Sequence, residues 1–220
     1  MTSVLVVDDQ PLVRQAVADI LSAHDDMDVV GWAADGQEAV AAALELRPDV
    51  VVMDIRMPGM GGIGATATIC SAPELRDTRV LILTTFEEDE NLVAALRAGA
   101  SGFVGKGAEP QEIVRAVRAI HAGDALLSPL ATRALIDRFV AAPSLQRGAD
   151  AELMHLTDRE REVLLMVAKG RSNQDIAEEL VISPHTAKTH VNRIMVKVHA
   201  HDRAQLVILA YESGLLSPGA

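Results

Sequence analysis

Short, almost wholly apolar runs punctuate the first half of the chain: SVLVV, DVVGWAA, DVVVM, RVLIL and SGFVG. Between them, apolar residues recur at helical spacing. After Pro11, whose missing N–H is harmless in a first helical turn, Leu12, Val13, Ala16, Val17, Ile20 and Leu21 fall on one face. Further helices are predicted from Gly36 to Leu46, near Ile63–Cys70, after the acidic run Glu87–Glu90, and over about Glu109–His121, with glycine stops at Gly99 and Gly123. Apolar runs bounded by helical stretches predict parallel strands buried on both faces. Five such β-α units give an α/β fold with a doubly wound five-stranded parallel sheet over residues 1–123.

The pattern then changes. Residues 124–153 read as a linker, with one helix starting near Pro129 and a flexible stretch PSLQRGADAE. From 154 to 220 the periodicity is helical throughout, giving a second, all-α domain. Thr157 with Glu160 forms a capping box, and Lys169-Gly170 closes the helix it opens. Ser172 with Asp175 opens a short helix, LVIS makes a turn, Ser183 caps a helix with Pro184 at its first position, and Asp202 caps a fourth. A short helix, a tight turn and a longer helix are the helix-turn-helix signal.

Composition narrows the classes. Of 220 residues 49% are apolar but only 2% aromatic, so the core must be aliphatic. The lone Cys70 excludes an intrachain disulfide and reads as a small helical residue. With no signal-like segment and no membrane-length apolar run, the sequence is read as a soluble cytoplasmic protein without a membrane partner. The net charge of −11 is uneven: residues 181–220 hold only Asp202 and Glu212 against Lys188, Arg193, Lys197 and Arg203. Such a local basic patch permits nucleic-acid binding by an acidic chain.

The candidate chemistry lies where the strands end. SVLVV runs into Asp8 and Asp9, DVVVM into Asp54, RVLIL into Thr84 and Thr85, and SGFVG into Lys106. Ligands of open parallel sheets bind beyond the carboxyl ends of the strands, so these groups converge on one edge. Any one of them alone reads as a polar residue meeting solvent. Together, carboxylates, hydroxyls and an ammonium make a site for a divalent metal such as Mg²⁺ and a phosphoryl group, with a carboxylate as nucleophile and Lys106 stabilising the transferring charge.

The stretches VLVVDDQPLVR, PDVVVMDIRMPGMGG, LILTTFEEDE and GASGFVGKGA resemble the flavodoxin-like receiver domain of two-component response regulators. The resemblance implies that Asp54 is phosphorylated by a sensor histidine kinase. It implies that Asp8, Asp9, Asp54 and the backbone carbonyl of Arg56 hold Mg²⁺, that Thr84 is the switch hydroxyl and Lys106 the phosphate-binding lysine, and that Phe103 turns inward on activation. A phospho-acceptor regulator follows rather than an enzyme, although a receiver catalyses its own phosphotransfer and dephosphorylation. Gly61, Gly64, Gly105 and Gly107 depart from the usual pattern without removing a ligand, and the first two predict a short or mobile helix after Asp54.

In the second domain, Ala187, Val191, Ile194, Met195 and Val198 share a core face of the Ser183–Val198 helix. The other side presents His185, Thr186, Lys188, Thr189, His190, Asn192 and Val196, suited to base edges in a major groove, with Arg193 and Lys197 placed for phosphates. The three histidines 185, 190 and 199 are too dispersed for a metal site. The segment from Leu156 to Leu216 resembles the LuxR-type helix-turn-helix, so the whole chain resembles a NarL/FixJ-family response regulator. Ala187 and the HAH at 199–201 depart from the usual spelling, and His201 weakens one backbone contact. The resemblance implies a homodimer on phosphorylation, through Val207, Leu209, Ala210 and Tyr211 of the last helix, and inverted-repeat sites in double-stranded promoter DNA.

Two other classes compete. An aspartyl-phosphate phosphohydrolase also uses strand-end carboxylates, but Arg56 stands where its second Asp belongs. An acyl-homoserine-lactone receptor shares the DNA-binding domain, but its pocket wants aromatics that this N-terminal half lacks.

Overall fold

Apolar alternation inside each run places every second side chain on the same face of a sheet, and the computed structural model has that sheet. It describes residues 1–85, 89–123, 153–198, 200 and 203–216. The predicted helix near Pro129, nearly all of the linker, the cap at Asp202 and the histidines 199 and 201 lie outside the described residues. The chain divides into two compact units, each considered by itself.

The first unit has strands β1 (Thr2–Val7), β2 (Met27–Ala33), β3 (Val50–Asp54), β4 (Arg79–Thr84) and β5 (Gly102–Gly105). All pair in parallel, in the order β2-β1-β3-β4-β5. Helices α1 (Pro11–Ser22), α2 (Gly36–Leu46), α3 (Gly62–Ser71), α4 (Asp89–Arg97) and α5 (Pro110–His121) connect them, with a 3-10 turn at Pro73–Leu75. This is the doubly wound arrangement whose topological switch lies between β1 and β3. Val4, Val6, Val50, Val52, Leu81, Leu83 and Val104 pack against Val17 and Leu21 of α1 and against Ile113, Val114 and Val117 of α5. By the two-residue period of a strand, Leu5, Val51, Met53, Ile82 and Phe103 face the opposite layer.

Three expectations need correction. Leu12 and Ala16 lie outside the core, Leu12 being 86% exposed, while Ala18 is buried, because the buried stripe of α1 is narrower than its apolar one. β2 is not buried on both faces: it is an edge strand with one neighbour, and Asp28 and Trp32 meet solvent. The glycines around Asp54 do not shorten α3, which runs 10 residues, with Thr66 Oγ1 and Thr68 Oγ1 donating to the Gly62 and Gly64 carbonyls at 2.7 and 2.9 Å.

Among the described residues the second unit contains α6 (Asp158–Ala168), α7 (Asn173–Leu180), α8 (Pro184–Lys197) and α9 (Arg203–Glu212). The capping boxes at Thr157 and Ser172 are both formed, and Ser183 Oγ accepts from the Thr186 N–H at 3.0 Å. Val163, Leu164, Val167, Ile176, Ala187, Val191, Ile194, Leu206 and Ala210 make a common core. Arg203 joins α9 to the α6–α7 turn, donating to Asn173 Oδ1 at 3.0 Å and to the Arg171 carbonyl.

The turn between α7 and α8 carries a conformational penalty. Val181 ends α7 in the left-handed region at φ 56°, and its side chain is 91% exposed. That region costs an L-residue roughly 1–2 kcal/mol, and no contact of a side chain so exposed offsets it. Val181→Gly removes the clash but loosens the unfolded chain. The expected result is a gain in stability of this unit of roughly 0.5–1 kcal/mol, read as a higher thermal midpoint; an unchanged or lower midpoint would show that the turn is unstrained.

Candidate phospho-acceptor site and nucleic-acid interface

Strand register decides which polar groups meet. Val7 pairs with Met53, Asp54 with Leu83, and Thr84 with Gly105, so Asp8, Asp54, Thr84 and Lys106 emerge along one edge of the sheet. The Lys106 N–H donates to the Thr84 carbonyl at 2.7 Å, which fixes where the lysine leaves β5. Its ammonium lies 2.7 Å from Asp8 Oδ2 and 2.9 Å from Asp54 Oδ2. Both carboxylates are buried, at 1% and 4% exposure, while Asp9 is the most solvent-open of the three acids.

Burial raises the Asp54 carboxyl above the ordinary aspartate value; the Lys106 hydrogen bond and charge pull it back, and the neighbouring Asp8 pushes it up again. Burial lowers Lys106, but its hydrogen bonds to Asp8 and Asp54 outweigh this, so the ammonium stays charged. The site is therefore short of positive charge. One ligand oxygen each from Asp8, Asp9 and Asp54 lie within 4.8 Å of one another. Apart from the Lys106 ammonium, the buried Asp8 Oδ2 has no hydrogen-bond donor. An all-oxygen set with an undersatisfied carboxylate fits a hard divalent cation.

The loop after Asp54 is pinned by close backbone approaches that need glycine. The Gly62 N–H donates to the Ile55 carbonyl at 2.9 Å, and a Cβ at Gly62 would stand 1.8 Å from the Asp54 carbonyl oxygen. Gly36, following the N-cap Asp35, donates to the Met60 carbonyl at 3.0 Å, and its Cβ would stand 2.2 Å from that oxygen. Sequence reasoning missed both contacts; only the Gly-rich spelling MPGMGG hinted at them. It also missed Arg14 and the side-chain contact of Arg56. Arg14 Nη1 donates to the Asp8 carbonyl, and Arg56 Nη2 donates to Thr85 Oγ1 at 2.7 Å.

Phe103 pairs with Ile82, one pleat from Thr84 on the same face, and at 1% exposure it is already inward in this conformation. Thr84 is partly exposed at the end of β4.

In the second unit, α8 buries Ala187, Val191 and Ile194 and exposes Lys188, Asn192, Arg193 and Val196; Thr186, Thr189 and His190 are partly exposed. Thr189 Oγ1 donates to the His185 carbonyl at 2.9 Å. Lys197 differs from the phosphate-contact reading: its ammonium donates to Glu160 Oε2 at 2.7 Å, inside the domain. The last helix also departs from expectation. Ala210 is fully buried in the unit's own core and presents no surface, because it falls four residues after the equally buried Leu206 on the stripe of the helix that faces the core. Val207, Leu209 and Tyr211 are partly exposed, and Val207 and Tyr211 lie four residues apart on one stripe.

A receiver-like acidic edge and a helix-turn-helix unit on one chain define a transcription regulator with two domains, and comparison with known proteins agrees. Residues 4–118 match the response regulator receiver domain, and residues 154–210 the luxR family of bacterial regulatory proteins. The chain is 40% identical to the uncharacterized transcriptional regulatory protein YxjL of Bacillus subtilis, over 97% of this chain and 96% of that one. It is 39% identical to the response regulator protein VraR of Staphylococcus aureus, over 97% and 98% of the two chains. The crystal structure of ChrA, the response regulator of a heme-sensing two-component system, matches with a TM-score of 0.53 and 35% identity, covering 98% of each chain. The chain belongs to the response regulators of NarL/FixJ type, transcriptional regulators with a receiver and a LuxR-type DNA-binding domain. Among its described residues no helix is long and apolar enough to cross a membrane.

The pair of buried acids yields a pH-dependent prediction. Asp54 titrates above its unfolded value, so its ionised form opposes folding at neutral pH and ceases to do so as the pH falls through the raised value. Lys106→Ala removes the compensating cation. In chelator at pH 7 it should lower stability by roughly 3 kcal/mol, with the deficit shrinking on acidification. Asp54→Asn should raise the thermal midpoint at pH 7, with a gain that disappears below the ordinary carboxylate range. Denaturation curves of the three proteins across pH check both.

Proposed function

We propose that the chain is a phosphorylation-switched transcription regulator of a two-component system, with a receiver over 1–123, a linker over 124–153 and a DNA-binding domain over 154–220. The observation that carries this reading is Asp54, buried at the end of β3 beside a lysine ammonium and two further carboxylates. Asp54 Oδ attacks the phosphorus of a phosphohistidine on a sensor kinase. The P–N bond breaks, the imidazole leaves and an acyl phosphate forms. Lys106, freed from one carboxylate, holds a phosphoryl oxygen, and Thr84 donates its hydroxyl to another. Asp8, Asp9, Asp54 and the Arg56 carbonyl hold a divalent ion, Mg²⁺, which when bound neutralises the crowded acids and the incoming oxygens. Arg56 occupies the place of the second acid of a phosphohydrolase, so the product stays on the chain as a signal until the receiver's own site or water releases it.

The new charge biases a two-state equilibrium of β4, β5 and α4, through Thr84 and its same-face neighbour Phe103. Dimers become favoured, with Val207, Leu209 and Tyr211 on α9 as the remaining surface candidates for contact between DNA-binding domains. A two-fold dimer reads an inverted repeat in promoter DNA. Thr186, Lys188, Thr189, His190 and Asn192 face base edges, and Arg193 faces a phosphate.

Incubation with a small phosphodonor and Mg²⁺ should label the wild type and leave Asp54→Asn unlabelled; equal labelling of both overturns the reading. Mg²⁺ at about ten times its dissociation constant should stabilise the chain by about 1.4 kcal/mol, and Asp8→Ala should abolish the gain. Lys188→Ala combined with Asn192→Ala should weaken binding to duplexes selected from a random pool by roughly a hundredfold, at about 1–3 kcal/mol per lost base contact, while labelling of Asp54 persists.

A further inference from the structure

The C-terminal end of α8 carries two basic residues that the structure treats differently. Arg193 is exposed and, among the described residues, has no hydrogen bond or ion pair. Lys197 has a side chain 37% exposed, yet its ammonium lies 2.7 Å from Glu160 Oε2. Glu160 is 6% exposed and belongs to α6. The same Oε2 accepts from the Thr157 N–H at 2.8 Å and from Thr157 Oγ1 at 2.9 Å, so one carboxylate oxygen closes the α6 cap and anchors the end of the recognition helix. Burial raises the Glu160 carboxyl, but the Lys197 and Thr157 hydrogen bonds outweigh it and keep the group ionised. A buried carboxylate deprived of its counter-ion is penalised more than one solvated phosphate contact is rewarded.

We propose that Glu160 is a positioning residue for DNA binding that withholds Lys197 from the phosphate backbone and ties the end of α8 to α6. The inference rests on α8 being the DNA-reading helix. Lys197 lies at the edge of the basic surface but contributes no counter-ion release, so the phosphate footprint at that end falls to Arg193. Removing the Glu160 charge turns Lys197 into a backbone contact and makes binding less selective.

The test is the salt dependence of binding by the full chain to a short duplex of arbitrary sequence. Glu160→Gln keeps the cap, because Gln also serves at the third position of a capping box. It should steepen the slope of log affinity against log salt by about 0.9 per protomer, so that the affinity lost between about 50 and 200 mM salt grows roughly threefold. Glu160→Gln with Lys197→Met should return to the wild-type slope, and Lys197→Met alone should keep it. An unchanged slope in Glu160→Gln, or a slope flattened by about 0.9 in Lys197→Met, overturns the proposal. If Glu160→Gln does not fold by circular dichroism, the Lys197→Met slope decides alone. Failure of the underlying reading looks different: the wild type shows no salt-dependent binding, or Lys188→Ala and Arg193→Ala leave it intact, and this inference falls with it.

Discussion

The Lys106 ammonium between two buried carboxylates is the interaction on which the receiver unit turns. Asp8, Asp54 and Lys106 are brought within reach of one another at the ends of three different strands, so their meeting depends on strand register. A one-residue slip in a parallel ladder moves a side chain to the other face of the sheet. Pairing of Val7 with Met53 and of Thr84 with Gly105 therefore sets the distances at the strand ends. A single positive charge does not balance the acids gathered there, and that deficit makes the edge receptive to a further cation. The sheet, with its aliphatic interior, acts as the rigid mount for an unstable charge arrangement.

The second unit solves a similar problem to a different end. Glu160 is a buried acid whose Oε2 takes the Lys197 ammonium and two further hydrogen bonds from Thr157, so that oxygen is fully engaged. In the receiver the acid–lysine cluster is left open on the side of Asp9. The contrast separates reactive from structural charge by hydrogen-bond completeness rather than by residue type. It also explains why Lys197, which looks like a DNA contact on a helical wheel, is engaged inside the domain, and why Arg203, basic in the sequence count, braces the α6–α7 turn.

Much of this was legible in the chain. The strand runs, the order of β-α units, the polar residues at strand ends, the two Thr/Ser capping boxes and the core face of α8 follow from periodicities of two and 3.6 and from local hydrogen-bond rules that act over a few residues. Less legible was the extent of burial. Leu12 and Trp32 are apolar where the pattern expects cover, but whether a position is covered depends on which neighbour arrives, and β2 has a neighbour on one side alone. Ala210, in the last helix, is expected at the surface by resemblance, whereas packing against the other described helices turns it inward.

Local sequence thus determined the kinds of element, their order and the chemical groups at each end, because those depend on contacts between residues close in the chain. Tertiary structure alone decided which groups touch: Lys106 with both Asp8 and Asp54, Gly62 against the Asp54 carbonyl, Arg56 with Thr85, Lys197 with Glu160. Except for Gly62 and Asp54, which one loop joins, such pairs link residues tens of positions apart, and their distances are set by strand register and helix packing. No pattern within a single segment encodes either.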